Sequence, residues 1–301
     1  MASEKVVGLG LCVIDHVYVV ERLDFEETRI RFTQRLVLPG GMIGTAISQA
    51  AVLGCEAHLL SMLGDDADGR FVRRAIEAIG VNTERLVISP DAETTVAVVL
   101  VEQNSGERRF IVPDRRALER GAPDFDLTAI DSTTTLLVDG HFPEQALRAV
   151  VKAREVGATV VGDFHRPSPA VLELLPHVDF PVVPLEFAEL VCAGDPQRAM
   201  FEMADRFGGT PVVTLGAEGG LYLEAGHVQR FAARSVDVVD TTGAGDVFHG
   251  AFAAGLSRGW TLERAIELAA RAAALCCTAL GGAGRLMTRE ESLAEPTASA
   301  G

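Results

Sequence analysis

Asp246 follows two glycines, Gly243 and Gly245, in the run Asp-Thr-Thr-Gly-Ala-Gly-Asp, and that spacing could do phosphoryl chemistry. The glycines let the backbone turn tightly and aim consecutive N–H groups at one point. The small-residue run after 246 reads as a helix, whose N-terminus carries roughly half a positive charge. Such a nest suits the negative charge spread over a phosphoryl group in transfer. A carboxylate at its mouth can orient a hydroxyl and take its proton. No lysine follows the glycines, so the run is not a GxxxxGK[ST] loop. An ordinary turn with Asp246 as a helix cap fits the same residues, and at this point both readings stand.

Other residues could serve such chemistry. Asp15 ends an apolar run, and a carboxylate at the carboxyl end of a strand accepts two hydroxyl donors well. Arg108 and Arg109 are adjacent in a strand-like run and could meet an anion. Neighbouring strand residues point to opposite sides, so at most one of the two faces a site. None of the seven histidines has metal-ligand spacing, and no structural zinc is expected.

The elements that must hold these residues follow from periodicity. Residues 6–13 read as a buried first strand, bounded by Asp15. Residues 29–38 alternate imperfectly and predict a half-exposed strand. Gly40 and Gly41 then break the chain. Helical spacing over 45–53 stops at Gly54, and an amphipathic helix over 69–79 stops at Gly80, with a short strand between them at 58–63. Residues 94–114 hold two strand-like runs joined by the turn QNSG.

From about 134 the pattern changes. Strands at 135–140, 158–163, 179–184 and 211–216 alternate with helices at 144–155, 170–175, 186–191 and 197–207. That alternation implies right-handed crossovers and a parallel sheet. A further strand is expected to end at Val239. A long Ala/Gly-rich helix follows 246, and a last helix covers 262–280.

With 301 residues, 48% of them hydrophobic, the chain can bury one large α/β domain over 1–301. The tail at 292–301 is small and polar and is expected to fray. A formal net charge of -15 excludes a broad nucleic-acid face, so a polyphosphate must be met locally. Five cysteines, an odd number without CxxC, read as buried thiols in a reducing compartment. The N-terminus lacks the build of a signal peptide, and no apolar run approaches about 18 residues. The expectation is a cytoplasmic protein without a membrane partner.

Read in full, residues 237–254 resemble the second signature of the ribokinase-like (PfkB) carbohydrate kinases, GAGD opening a long small-residue helix. The resemblance covers nearly the whole chain. The glycine pair and helix of the first signature are matched by 38–54, and the early aspartate by Asp15. GxDxxG and GV-T segments are matched by 64–71 and 80–86, and a late nucleotide-binding strand and turn by 212–222. Within the family, ketohexokinase and sulfofructose kinase look nearest.

The resemblance implies a doubly wound parallel α/β sheet with a small β lid from about 29–38 and 94–114. It implies ATP-dependent phosphorylation of a hydroxyl on a small sugar or sugar derivative, with Mg²⁺. Asp246 would be the base, and Gly243, Ala244 and Gly245 the anion hole. Asp15, Gly40, Gly41, Thr45 and His141 would meet the sugar. Glu189 would help organise Mg²⁺, and Thr214, Gly216 and Gly219 would lie beside the nucleotide. In some relatives the positions of Asp240 and Thr242 hold a monovalent cation, here K⁺, completed by carbonyls from 278–285. A homodimer through the lid is expected.

Three departures bear on these roles. Thr45 stands where the family commonly has Asn, Glu186 replaces the asparagine of an N-x-x-E motif, and His165 displaces Asn in a D-x-N-x-R stretch at 163–167. A nucleoside kinase of the same superfamily remains a rival. It would want aromatic stacking, for which Phe25, Phe32 and Phe110 are candidates, with Tyr18, Tyr222 and Trp260 less obviously placed. A catalytically silent sugar sensor on the same fold is a second rival, although Asp246 and its glycines are present. A dinucleotide-dependent dehydrogenase is set aside, because Gly8 and Gly10 lack a third glycine at 13.

Overall fold

The computed structural model describes residues 4–24, 28–103, 105–114, 119, 121–191 and 195–294. Phe25, Cys192 and residues 295–301 of the tail lie outside the described residues. The first strand, β1 (Lys5–Leu9), is buried along its whole length. It sits inside a sheet covered on both faces, which is why residues 6–9 are apolar without alternation, while Lys5 at its start pairs with Asp131.

The run at 6–13 is not one strand. The chain leaves the main sheet at Gly10 and begins β2 (Val13–Val20) in a different sheet. There it pairs antiparallel with β3 (Phe32–Gly40). Asp15 therefore lies within a lid strand and not at the end of a core strand, a correction to the sequence reading. Both segments are apolar, so composition alone could not reveal the break between them.

After β3 come α1 (Met42–Val52), β4 (Glu56–Leu60), β5 (Met62–Gly64) and α2 (Ala67–Ala78). The short strands β6 (Val81–Asn82) and β7 (Val87–Ser89) lead to β8 (Val96–Glu102) and β9 (Arg108–Ile111). The described residues of the lid form a four-stranded sheet in the order β3-β2-β8-β9. β3, β8 and β9 agree with the expected lid segments, and β2 is the strand that periodicity missed.

The alternating half follows as expected: β10 (Thr134–Val138), α3 (Pro143–Val156), β11 (Thr159–Asp163), α4 (Pro169–Leu174), β12 (Phe180–Pro184), α5 (Leu185–Val191), α6 (Pro196–Phe207) and β13 (Val212–Thr214). A hairpin, β14 (Gly220–Glu224) and β15 (His227–Phe231), then extends the sheet antiparallel. No strand ends at Val239. There the Val239 amide donates to Cys277 O at 2.8 Å, so the segment ties to the end of a helix instead of to a sheet edge. The last helices are α7 (Ala244–Ser257), α8 (Leu262–Cys276) and α9 (Arg289–Leu293). The expected helix over 262–280 stops at Cys276.

The main sheet has nine strands among the described residues, in the order β15-β14-β13-β12-β11-β10-β1-β4-β6. The chain starts at β1, works outward through β4 and β6, then returns to β10 on the other side of β1. The strand order therefore reverses between β1 and β10, where an open α/β sheet leaves a crevice beyond its carboxyl ends. One helical layer, from α1, α7 and α8, buries Ile43, Ile47, Phe248, Phe252 and Ile266 against one face. The other, from α3, α4 and α6, buries Ala146, Val150, Val171 and Met200 against the opposite face. The small residues of α7 let α1 cross it closely, since a Cβ on Gly250 would come within 2.0 Å of Ala46 O.

Candidate active site

Gly243 adopts φ 72 and sits immediately before α7. That left-handed conformation turns the incoming loop so that the helix N-terminus opens into the crevice. A Cβ on Gly243 would come within 2.3 Å of Gly282 Cα, whereas one on Gly245 would meet nothing within 4 Å. The glycines thus differ: the first is packed shut, and the second faces open space. Of the three expected anion-hole residues, Ala244 turns its N–H back to Thr241 O at 3.3 Å. The amides of Gly245 and Asp246 are the next donors in the first helical turn, which has no intrahelical partners of its own.

Asp246 lies in that first turn, half-buried at the crevice. Enclosure by protein pushes its carboxyl well above the usual range, and Asp163, Asp15 and Asp139 push it further, while Arg108 opposes them. A raised carboxyl is a stronger base once it is ionised.

On the lid side, Asp15 is buried, and burial followed by the charge of Asp240 raises its pKa to about 7. Its carboxylate packs directly on Gly40, where a Cβ would fall 2.1 Å from Oδ2. Gly41 has φ 88 and precedes α1. Thr45 follows in the first turn of α1, buried, its N–H donating to Gly41 O at 2.8 Å. Asp15, Gly40, Gly41 and Thr45 therefore gather around the entry to α1, as the sequence reading required.

Asp240 is fully buried and braces the same region. Its Oδ1 accepts from Thr242 N at 2.9 Å and Thr242 Oγ1 at 2.7 Å, and its Oδ2 accepts from Gly281 N at 2.8 Å. The carbonyls of Thr242 and Gly282 converge on the Cys276 thiol, each at 3.5 Å. The 281–284 loop is thus drawn against the turn that carries Gly243.

Of the two lid arginines, Arg108 reaches inward and donates to Thr241 Oγ1. Arg109 points outward and pairs with Glu107 at 2.8 Å. The alternation expected of a strand decides this. Arg108 shares its face with Asp15 and Phe110, and the Arg108 guanidinium lies 6.0 Å from the Phe110 ring. Phe32 lies on the opposite face, edge-on to Tyr18. Tyr222 is buried beside Phe231, and Trp260 packs under Arg258 and Arg264. Only Phe110 of the described aromatic candidates shares the inner lid face with Asp15.

Across the sheet, Thr214 ends β13, and its Oγ1 donates to Val183 O at 3.5 Å. Gly216 and Gly219 bound the turn into β14 with φ 58 and 84. Glu189 is exposed on α5, one turn after Glu186, which is exposed as well. Two carboxylates on one helical face fit an ion that arrives with phosphates, since Mg²⁺ is usually held by one or two carboxylates plus the phosphates themselves. His141 follows β10, and its Nδ1 lies 2.7 Å from Glu119 Oε1, so its side chain is already engaged.

Sequence reasoning missed three residues. Asp139 follows β10 at the switch point, where its Oδ2 accepts from Leu11 N at 2.7 Å and its Oδ1 from His141 N at 2.8 Å. Asp163 ends β11, and His249 lies beneath Asp246 on α7, both buried. A signal existed: two successive buried strands run into an aspartate at or just past their carboxyl ends, and a lone histidine interrupts the small and apolar run that follows Asp246.

A model of the pfkB family of carbohydrate kinases matches residues 3–289. The ribokinase of Bacillus subtilis is 26% identical over 94% of this chain and 96% of its own length. The aminoimidazole riboside kinase of Salmonella typhimurium is 30% identical over 81% of this chain and 82% of its own. A crystal structure of a candidate ribokinase from Agrobacterium tumefaciens superposes with a TM-score of 0.88 at 27% identity, covering 96% of this chain and 95% of that one. Neither a ketohexokinase nor a sulfofructose kinase is among these three.

Proposed function

The chain belongs to the pfkB family of carbohydrate kinases, and on that premise we propose Asp246 as the group that takes the proton from the acceptor hydroxyl. The protein is an ATP-dependent kinase that phosphorylates an alcohol group of a sugar or nucleoside. The observation that carries the role of Asp246 is its place in the first turn of α7, behind a left-handed Gly243 and open to the crevice. Asp15 lies to one side of it, on the lid, and the carboxyl ends of β11, β12 and β13 to the other.

In this reading Asp15, Gly40, Gly41 and Thr45 hold sugar hydroxyls, with His141 at the rim. The N-terminus of α7, through Gly243, Ala244 and Gly245, binds the transferring phosphoryl group. Thr214, Gly216 and Gly219 line the nucleotide side, and Glu189 helps hold Mg²⁺. Bound with the nucleotide, Mg²⁺ offsets charge on the phosphates. Asp240 and Thr242 lie where K⁺ would be held with main-chain carbonyls. Exposed Phe32 and Ile111 lie on the outer lid face, one on each of the two edge strands β3 and β9 among the described residues, and support a homodimer through the lid. A cytoplasmic location agrees with the free cysteines at 12, 55, 276 and 277. Among the described residues no helix is long and apolar enough to cross a membrane.

ADP release with MgATP and a panel of sugars, ketoses, polyols and nucleosides tests the reading. One acceptor group should give turnover far above ATP hydrolysis alone, and a panel-wide absence of turnover would favour the silent sensor. Phe110 on the inner lid face keeps the nucleoside alternative in view. Turnover that prefers ribosides over their free sugars and falls in Phe110→Ala would select it.

The lid makes its own prediction. Arg108→Ala removes a charge-assisted contact of the kind that contributes about 1.5–3 kcal/mol, so kcat/KM should fall about tenfold or more. Arg109→Ala should leave it unchanged. Equal effects from the two variants would contradict the inward placement of Arg108.

Asp15 predicts a pH effect on stability. Its folded pKa of about 7 lies above the unfolded value of about 3.9. The folded state therefore binds this proton more tightly. That advantage is complete below the unfolded pKa and is lost as pH rises through about 7. Asn does not ionise, so Asp15→Asn should melt at a higher temperature than wild type at pH 8, with the gap closing toward pH 5. Sugar affinity should fall in the same variant. A wild type at least as stable as Asp15→Asn at pH 8 would contradict the assignment.

A further inference from the structure

His249 lies one helical turn after Asp246, 5% exposed, and meets only oxygen acceptors among the described residues. Its Nδ1 is 2.6 Å from Gly245 O and 3.4 Å from Asp163 Oδ2, and its Nε2 is 3.3 Å from Val182 O. A neutral imidazole has one N–H and one lone pair. Either tautomer would aim its lone pair at a carbonyl oxygen. Only the imidazolium, with two N–H groups, serves both sides of the ring.

Asp163 presents the complementary problem. It is 1% exposed, and neither carboxylate oxygen has a hydrogen-bond partner among the described residues. A buried carboxylate without donors is costly unless it is paired or protonated. The nearest cationic candidates are His249 and His165, whose Nε2 is 3.8 Å from Asp163 Oδ1. His165 is largely exposed at its side chain, whereas His249 is enclosed.

We propose that Asp163 and His249 form a buried carboxylate–imidazolium pair beneath the 243–246 turn, and that His249 is a positioning residue for Asp246. The proton count is unchanged by this assignment. The proton that Asp163 would otherwise carry resides on His249, and the pair has no net charge. Burial, with Asp139 beside it, pushes Asp163 well above the carboxylate range, and burial pushes His249 down to about 4 against its hydrogen bonds to Gly245 and Val182, so neither is tolerated as a lone ion. Pairing answers both costs at once.

The pair has two consequences for the site. One N–H of His249 donates to Gly245 O and so fixes the peptide whose N–H belongs to Asp246. Its positive charge also lies one turn below a carboxylate crowded by Asp15, Asp139 and Asp163. The remaining charged and titratable groups near the pair are Arg108 from the lid, His141 after β10 and Glu186 on α5. Arg108 is the arginine whose charge opposes the raising of Asp246.

The catalytic half of this inference rests on the reading of Asp246 as the base, and the experiment separates the two. In ¹⁵N-histidine spectra of the whole protein at pH 7, His249 should carry protons on both nitrogens, its signals identified by their loss in His249→Gln or His249→Asn. Asp163→Asn should remove the second proton. A singly protonated His249 that ignores Asp163→Asn would overturn the pair, whether or not any substrate is known. In the ADP-release assay, His249→Gln should lower kcat by about 10²-fold, the scale of a misplaced catalytic group, with KM for ATP little changed. The acidic limb of its kcat profile should move to higher pH, because Asp246 loses the nearby cation while Asp163 remains. A variant that merely loosens the helix would melt lower without moving that limb, and an unmoved limb overturns the positioning role. If wild type turns over nothing on the panel, the base reading fails while the spectrum still decides the pair.

Discussion

Asp246→Asn is expected to lower kcat by about 10²–10⁴-fold, the range that a positioned proton acceptor contributes, with little change in KM for either substrate. The side chain stays the same size and can still contact a hydroxyl, but it can no longer accept the proton. Binding is expected to survive, because the proposed sugar contacts at Asp15, Gly40 and Gly41 and the proposed nucleotide turn at 214–219 are untouched. The fold should survive as well. Three neighbouring carboxylates and burial all disfavour ionised Asp246, so a neutral amide relieves that repulsion, and the variant should melt no lower than wild type at pH 8. Steady-state kinetics and a thermal melt on the same preparation check both halves. A variant that keeps wild-type kcat would remove Asp246 from the mechanism, and one that loses affinity instead would make it a binding residue.

The two glycines of the turn should part company under the same substitution. Gly243→Ala forces a Cβ into a left-handed conformation at φ 72, which costs about 1–2 kcal/mol, and sets that Cβ 2.3 Å from the Gly282 backbone. Backbone cannot step aside as a flexible side chain can, so the turn or the 281–284 loop must move. The helix-terminal donors move with it, and loss of such donors costs about 10²–10³-fold in kcat. This variant should lose both melting temperature and turnover. Gly245→Ala has an ordinary φ and open space within 4 Å, so it should keep or gain stability, as alanine does within a helix. Its turnover should still fall, because the added methyl group occupies the space assigned to the phosphoryl group. Full activity in Gly245→Ala would place the phosphoryl group elsewhere, and an unperturbed melt for Gly243→Ala would contradict the packing against Gly282.

Much of the core was legible because its rules are local. Short apolar runs separated by amphipathic helices and glycine stops specify parallel strands with crossovers, and β10 to β13 lie close to where periodicity put them. Asp246 and its glycines were legible for the same reason: a strained turn, a helix start and a carboxylate are contiguous in the chain. Residues 13–20 escaped because an apolar strand reads alike in either sheet, and only the partner strand β3 decides which one it joins. Residues 237–239 escaped in the opposite way. They have strand composition, but the Val239 amide finds Cys277 O, a partner no local pattern could announce.

The sequence by itself set out the chemistry available: a carboxylate at 246 behind a glycine turn at a helix start, a lid strand on which at most one of two adjacent arginines can face inward, and a net charge of -15 that argues against a broad nucleic-acid face. Tertiary structure alone decided what those groups feel. Asp15, Asp139, Asp163 and the turn that carries both Asp240 and Asp246 come from four separate segments, and they meet only because the lid and the carboxyl ends of the strands converge at the switch point. Their electrostatic coupling, and the proton assigned to His249, depend on distance and burial. Neither quantity is carried by the order of residues along the chain. Both arise when the sheet closes under its helices and its lid, and water is replaced by a few fixed donors.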